Sequence, residues 1–197
     1  MKNSTKMNKN FTNPEFIPYG TNSEIDRLID SENPEERAMA ANLNYALDKL
    51  VNDDNCYVRC SVVLQGYGLD RLIDDISDVV RLEVANNGYG LDKLINDIDP
   101  NVRTAVARQG YRLDILVNDK SFLVRKAVAE QGYGLDKLVS DESPFVREVV
   151  AEQGYGLNKL AYDKDLDVRN AVKNMIFVNY KDKLVEIWKN DNPDKAV

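Results

Sequence analysis

Hydrophobic and polar positions recur along this chain every 22 residues, in one unbroken phase over residues 22–175. Residues 88–109, 110–131 and 132–153 are near copies of one another. Seven units are marked by an arginine with a leucine nine positions before it, and the arginines are Arg37, Arg59, Arg81, Arg103, Arg125, Arg147 and Arg169. Such self-similarity is typical of stacked repeats in which each unit packs on its neighbours.

Each unit predicts two helical pieces. The longer one begins after a residue whose short side chain can cap a helix N-terminus, and these residues are Asn33, Asn55, Ser77, Asp99, Ser121, Ser143 and Asp165. A glycine ends this helix in most units. The shorter piece, such as residues 91–96, has apolar residues at i, i+3 and i+4 and predicts a short α-helix or a 3₁₀ turn.

The predicted fold is all-α: an α-solenoid, or superhelix, of seven 22-residue two-helix repeats with a C-terminal capping helix. Residues 1–21 are predicted to form a flexible N-terminal arm and the lead-in to the array. The repeat array covers residues 22–175, and the capping helix and tail cover residues 176–197. The capping helix is predicted from one helical stripe, which comprises Tyr180, Leu184, Ile187 and Trp188.

The arginines recur once per repeat and form a ladder along the chain, and two further residue types form ladders of the same period. Six residues before an arginine lies an aspartate, at Asp53, Asp75, Asp97, Asp119, Asp141 and Asp163. We expect each arginine to bond a carboxylate and fix the stacking of repeats, with a phosphate site as the alternative. Tyrosines recur as strictly, at Tyr45, Tyr67, Tyr89, Tyr111, Tyr133 and Tyr155. They predict a packed column over the seam between units rather than a stripe that stacks bases.

The charge balance disfavours direct nucleic-acid binding. The chain has 26 basic and 33 acidic residues and a net charge of −7. Lys2, Lys6 and Lys9 outnumber Glu15 in residues 1–19, so the array is more acidic than the total suggests. An acidic body repels a phosphate backbone. Neither a long apolar run nor a cleavable apolar signal is visible, and the expectation is a cytoplasmic protein without membrane contact.

The residue types predict no enzyme. The chain has no histidine, which removes the commonest general base and metal ligand. Its recurring Gly-Tyr-Gly lies between helices and not after a strand, so both glycines are interpreted as helix stops instead of a phosphate loop. Cys56 and Cys60 cannot form a closed zinc site alone and are expected to be reduced thiols. We expect no cofactor, no metal and no small-molecule substrate.

The unit pattern resembles a known repeat family. A leucine-rich short helix, an acidic turn and the motif VR..VA together resemble the leucine-rich repeat variant and, more loosely, HEAT-like α-solenoids. The resemblance implies the architecture over residues 22–175 and hardly any activity. The iron–sulfur module found beside some leucine-rich variant arrays is not expected, because a cluster generally needs four cysteines and this chain has two.

Positions that vary while the frame repeats are the candidates for binding. In the longer helix these positions are the second residue before the arginine and the first, second and fifth residues after it. They lie on one helical face. The predicted partner-binding residues are Tyr57, Leu64, Leu82, Arg108, Leu123, Lys126, Glu130, Phe145, Glu148 and Glu152. The alternative for Val79, Leu123 and Phe145 is packing against the next repeat.

Three functions remain open. The first is a non-enzymatic adaptor or scaffold that binds another protein along this variable face. The second is an acidic inhibitor, of the immunity or phage counter-defence type, that occludes the basic nucleic-acid-binding surface of a target such as a nuclease. A weaker third is a HEAT-like nucleic-acid-binding protein of the DNA-glycosylase kind. An open apolar stripe would favour the adaptor, and acidic residues gathered on one face would favour the inhibitor.

Overall fold

The computed structural model describes residues 22–191, and the side chains of residues 25–181. Within residues 22–191 the chain forms fourteen α-helices and no strand, which confirms the predicted helical class. The chain divides into two compact units, Met1–Gly68 and Leu69–Val197. No helix in the described part of the chain is long and apolar enough to cross a membrane.

Two long helices form the centre of the first unit. The unit contains α1 (Asn22–Ile29), α2 (Pro34–Asn42), α3 (Leu47–Leu50) and α4 (Cys56–Leu64). Helix α2 packs against both α1 and α4, and α3 contacts each of the two long helices. Ala40, Ala41, Leu50, Val58 and Val62 are fully or almost fully buried between them.

The second unit repeats the same short-helix, long-helix order. Its helices are α5 (Leu69–Leu72), α6 (Asp78–Asn86), α7 (Leu91–Leu94), α8 (Pro100–Arg108), α9 (Leu113–Leu116), α10 (Phe122–Glu130), α11 (Leu135–Leu138), α12 (Pro144–Glu152), α13 (Leu157–Leu160) and α14 (Leu166–Asp191). Each long helix packs on the next, in the order α6, α8, α10, α12, α14. These neighbour contacts are those of a repeated helical array.

The core of the second unit is filled by the same positions in every repeat. The leucines and valines exposed by 2% or less there are the ladder leucines Leu72, Leu94, Leu116, Leu138 and Leu160, and Val80, Val84, Val102, Val106, Val124, Val128, Val146, Val150, Val168 and Val172. Full burial of a leucine or valine side chain contributes about 1.5–3 kcal/mol. Because a four-residue helix is unstable alone, this packing is what holds the short helices.

The predicted helix caps are only partly correct. Asn33, Asn55 and Asp99 accept a hydrogen bond from a backbone amide of the first turn. Ser77, Ser121 and Ser143 occupy the same place, yet their hydroxyls make no such bond. The amide of each of these serines donates to the ladder aspartate two residues earlier, at 2.8–2.9 Å, as the amides of Asn55 and Asp99 also do. The aspartate organises the turn, so the hydroxyl is not required.

The two glycines of Gly-Tyr-Gly have different roles. The first follows the long helix with a positive φ, as at Gly88 (79°), and its prediction as a helix stop is confirmed. The second precedes the short helix, and there the prediction of a helix stop is wrong. A Cβ at Gly90 would lie 2.1 Å from Cδ1 of Ile73, so a side chain there would require Ile73 to move, and the φ of +59° favours glycine as well.

The last helix is continuous where the sequence predicts a boundary. Helix α14 runs for 26 residues without a break at Met175, so the predicted cap is an extension of the last long helix. Ile176, Phe177, Val178 and Tyr180 are exposed on it. The side chains predicted to complete the sealing stripe (Leu184, Ile187 and Trp188) and the predicted flexible arm, residues 1–21, lie outside the described residues.

Candidate protein-binding surface

The arginine ladder positions the long helices. In the second unit each described pair joins an arginine to the aspartate sixteen residues later, in the next repeat: Arg81–Asp97, Arg103–Asp119, Arg125–Asp141 and Arg147–Asp163. Nε donates to one carboxylate oxygen at 2.7 Å, and Nη2 donates to the other at 2.8–2.9 Å. Such two-bonded contacts fix orientation as well as distance. The first unit contains the same contact between Arg37 and Asp53.

The ion pairs remain charged at neutral pH. Burial raises the pKa of the Asp119 carboxyl, but hydrogen bonds from the Arg103 guanidinium and the Ser121 amide lower the pKa by more. The net pKa lies below the usual value for aspartate. The bond from Asp119 in turn raises the pKa of Arg103. Both groups are therefore ionised wherever the chain is folded near neutrality.

The ladder does not present a free anion site at these five arginines. Nη1 of Arg103 donates to the carbonyl oxygens of Asp97 and Ile98, so all three of its nitrogens are bonded within the protein. Arg37, Arg81, Arg125 and Arg147 show the same saturation. This geometry supports the structural interpretation of the ladder over the phosphate alternative.

The variable positions of the long helices divide by exposure. In the second unit the second residue before the arginine and the fifth residue after it are exposed. These residues are Val79, Asn86, Asn101, Arg108, Leu123, Glu130, Phe145 and Glu152. Leu82, Lys126 and Glu148, one after the arginine, are half-buried. The position two after it is buried at Ala105, Ala127 and Val149, so these are wrong as surface candidates. They border the core valines on the helical wheel and hold small or branched apolar residues.

An exposed aromatic cluster lies on α10 and α12. It comprises Phe122, Leu123 and Phe145, which we call the aromatic cluster. The rings of Phe122 and Phe145 are stacked, with centroids 5.5 Å apart and planes 29° apart. Phe145 remains 53% exposed and Leu123 37% exposed, so neither is covered by the next repeat, and Val79 is open as well. Sequence reasoning missed Phe122, although a phenylalanine directly after the cap is an unusual first helical residue.

A charged row runs beside the aromatic cluster. We define the charged row as Arg108, Lys126, Glu130, Glu148 and Glu152. Glu130 lies 3.8 Å from Arg108 and 3.9 Å from Lys126, measured between side-chain oxygen and nitrogen atoms. Burial first, and then the neighbouring carboxylates of Glu152 and Asp167, raise the pKa of Glu148. One end of the row is thus mixed in charge and the other is acidic.

The first unit presents its own apolar side chains. Tyr57 and Leu64 lie on α4, one helical repeat of seven residues apart, and are 68% and 60% exposed. Met39 on α2 is exposed as well. Ser61, between them in sequence, is buried and its hydroxyl donates to the Tyr57 carbonyl at 3.2 Å. Both predicted partner-binding residues of this unit therefore face solvent.

The tyrosine ladder is half covered, and the two cysteines form no disulfide. Tyr67, Tyr89, Tyr133 and Tyr155 are exposed by 40–42%. In the first unit the Tyr45 hydroxyl donates to Asp26 at 2.8 Å. Neither Cys56 nor Cys60 forms a disulfide. The ladder thus lies partly on the surface, and the predicted packed column is less buried than expected.

Comparison with known proteins leaves the family open. The sequence matches no protein-family model, and no curated protein matches it. The resemblance to the leucine-rich repeat variant and to HEAT-like repeats therefore remains a prediction from the residues.

Proposed function

We propose that this chain is a non-enzymatic, cytoplasmic protein-binding module. In this proposal its seven 22-residue units form an α-solenoid of the leucine-rich variant or HEAT-like kind, and the long helices bear the binding surface. The uninterrupted sequence period and the helix contacts between neighbours support the repeat architecture. Ladder arginines that are already bonded within the protein support a scaffold rather than an anion-binding or catalytic role.

The aromatic cluster is the observation that carries this proposal. Large apolar side chains that are stacked yet exposed are unfavourable in water, and a partner that covers them gains from burial. Aromatic residues also dominate the binding energy of many protein interfaces. Phe122 and Phe145 meet these conditions, Leu123 adds an exposed apolar side chain next to Phe122 in the sequence, and the charged row supplies a polar rim. A protein partner is the occupant that this combination fits best.

The proposal is tested by capture from the source cell with mass spectrometry. The wild-type chain is compared with the double variant Leu123→Ser and Phe145→Ser, which removes two of the three side chains of the aromatic cluster and the ring stack. The matched control is Tyr162→Ser, because Tyr162 is 89% exposed and the equivalent position of the preceding unit is Ser140. We expect one or more proteins captured by the wild type and the control to be absent with the double variant. Equal capture by all three would contradict the proposal.

The acidic end of the charged row favours one second candidate, an inhibitor of a basic surface. Burial raises the pKa of Glu148 most, and the neighbouring carboxylates of Glu152 and Asp167 raise it further. Carboxylates close to one another suit a partner surface that carries arginines or lysines. Neutralising Glu148 and Glu152 to glutamine would then weaken capture more than removing the aromatic cluster does. Binding would also fall steeply as salt is raised, because salt screens exposed charges.

A further inference from the structure

Three clefts follow one another along the turns of the second unit. Their volumes are about 370, 590 and 330 Å³ in chain order. Each cleft lies between successive repeats and is lined by one ladder pair, namely Arg81–Asp97, Arg103–Asp119 and Arg125–Asp141. We call them the first, middle and third clefts. Since the pairs are equivalent, the difference in volume comes from other residues.

A lysine crosses both of the smaller clefts. In the first, the Lys93 ammonium bonds the Asp74 carboxylate, and both residues line the cleft. In the third, Lys137 bonds the Asn118 carboxamide in the same way. Lys159 continues the series by bonding Ser140. In each case the lysine reaches back nineteen residues to the preceding repeat.

The middle cleft lacks this lysine. Ile115 stands at the position of Lys93 and Lys137, so the Asn96 carboxamide makes no side-chain hydrogen bond among the described residues. Ile98 and Ile115 line the opening and are 86% and 47% exposed. One lysine-to-isoleucine difference between repeats therefore accompanies the largest of these clefts and gives it apolar walls.

We propose that the middle cleft binds an extended segment of a partner protein that places a large apolar side chain between Ile98 and Ile115. Burying such a side chain removes apolar surface of both isoleucines from water. A volume of about 590 Å³ is within the range of small binding pockets. None of Phe122, Leu123 and Phe145 lines the middle cleft, so this proposal does not depend on the function proposed for the aromatic cluster.

The charges of the middle cleft favour an acidic residue in the partner segment, next to its large apolar residue. The carboxylates of Asp97 and Asp119 are already bonded by Arg81 and Arg103. Lys120 also lines the cleft and is exposed, and its ammonium forms no ion pair within the described residues. An aspartate or glutamate beside the apolar residue would complement this cation.

The row of clefts suits an extended partner segment. Asn96, Asp97 and Ile98 line both the first and the middle cleft, and Asn118 and Asp119 line both the middle and the third. Neighbouring clefts therefore share lining residues and adjoin one another along the chain. A carboxamide such as that of Asn96 can both donate to and accept from a peptide group. Extended segments recognised in this way derive orientation from backbone bonds and specificity from side-chain pockets.

The test uses a displayed library of random peptides selected on the full chain. We expect enrichment of sequences with a leucine, isoleucine or phenylalanine beside an aspartate or glutamate. A synthetic copy of an enriched peptide is then titrated against Ile115→Lys, which restores the residue of the neighbouring repeats and preserves the fold. The peptide should bind Ile115→Lys about tenfold or more weakly than it binds the wild type, as expected when one buried apolar contact is lost. The matched control is Ile76→Lys, at the position equivalent to Ile98 but outside the lining of the three clefts.

Charge exchange provides the second measurement. Lys120→Glu should weaken binding of the enriched peptide. The same variant should strengthen binding of a peptide in which the acidic residue is replaced by lysine. A library that yields no enriched sequence would overturn the proposal. So would peptides that bind Ile115→Lys as well as the wild type, or peptides that are lost only with Leu123→Ser and Phe145→Ser. Circular dichroism and the melting temperature of each variant verify that the chain is folded.

Discussion

Arg103 and Asp119 form a two-bonded ion pair between neighbouring repeats, with Nε at 2.7 Å and Nη2 at 2.9 Å from the two carboxylate oxygens. The third nitrogen of the same guanidinium donates to the carbonyl of Asp97, in the turn before its own helix, at 2.7 Å. One side chain therefore ties helix α8 to the turns on either side of it. Such a tie explains why the 22-residue period contains no insertion, because an added residue would break the contact.

Removing a ladder arginine should destabilise the chain. Arg103→Ala leaves the buried Asp119 carboxylate and two carbonyls without their donor, and should lower the free energy of unfolding by about 1–3 kcal/mol. The control is Arg112→Ala, which breaks an exposed pair with Asp114 and should change stability little. Urea denaturation of both variants measures the difference. Equal stability of Arg103→Ala and wild type would show that the ladder is not structural.

The ladder aspartates should make the chain sensitive to acid. The folded-state pKa of Asp97, Asp119, Asp141 and Asp163 is below normal. Such carboxylates contribute stability that is present above the unfolded pKa of about 3.9 and is lost as pH falls through the lower folded pKa. The unfolding free energy should thus be steady near neutrality and decline below about pH 4. The unfolding free energy of Asp119→Asn should be lower than that of the wild type at neutral pH and should decline less steeply as pH falls. An equally steep decline in both proteins would show that Asp119 does not cause the sensitivity to acid.

A side chain at the second glycine of the repeat should cost stability. Gly134→Ala places a Cβ 2.7 Å from Cγ2 of Val117 at a φ of +62°, and should cost at least about 1 kcal/mol. Arg112 occupies the equivalent position with a φ of 46°, so Arg112→Gly should keep or raise the melting temperature. Thermal denaturation compares the two. A stable Gly134→Ala variant would show that the neighbouring valine moves aside at no cost.

Glu148 should lower stability while it supports binding of a basic partner. A carboxyl whose folded pKa is raised is destabilised in its charged form, so its penalty appears as pH rises through that pKa. Glu148→Gln should therefore raise the melting temperature at neutral pH and leave it unchanged in acid. If the acidic inhibitor is correct, the same variant binds its target more weakly. Higher stability with unchanged binding would assign Glu148 to the periphery of the interface.

In the first unit, alanine substitutions of exposed apolar residues should change stability far less than substitution of a buried one. Tyr57→Ala and Leu64→Ala are surface changes and should each alter stability by no more than about 0.5 kcal/mol. Leu50→Ala empties a site that is 1% exposed and should cost about 2–5 kcal/mol. Circular dichroism during urea unfolding measures all three. A large loss with Tyr57→Ala would mean that its ring supports the fold rather than a partner.

The sequence alone predicted the helices and much of their frame. Ladder residues such as Leu94, Val102 and Arg103 recur at helical spacing, and this spacing depends only on local geometry. It therefore predicted the short and the long helical pieces and that arginines bond aspartates. The exposed positions of Tyr57, Leu123 and Phe145 also agree with the variable face inferred from the period. That this face binds a partner remains a proposal.

Tertiary structure decided what depends on distances between repeats. Burial of Ala105 and Ala127, the ring contact of Phe122 with Phe145, and the close approach of Ile73 to Gly90 all require neighbouring units to be placed in space. The middle cleft is the clearest case, because Ile115 in place of lysine has meaning only once the residue nineteen positions earlier, Asn96, is seen across the opening. A period states which residues are equivalent, whereas the stacking of helices determines which of them meet.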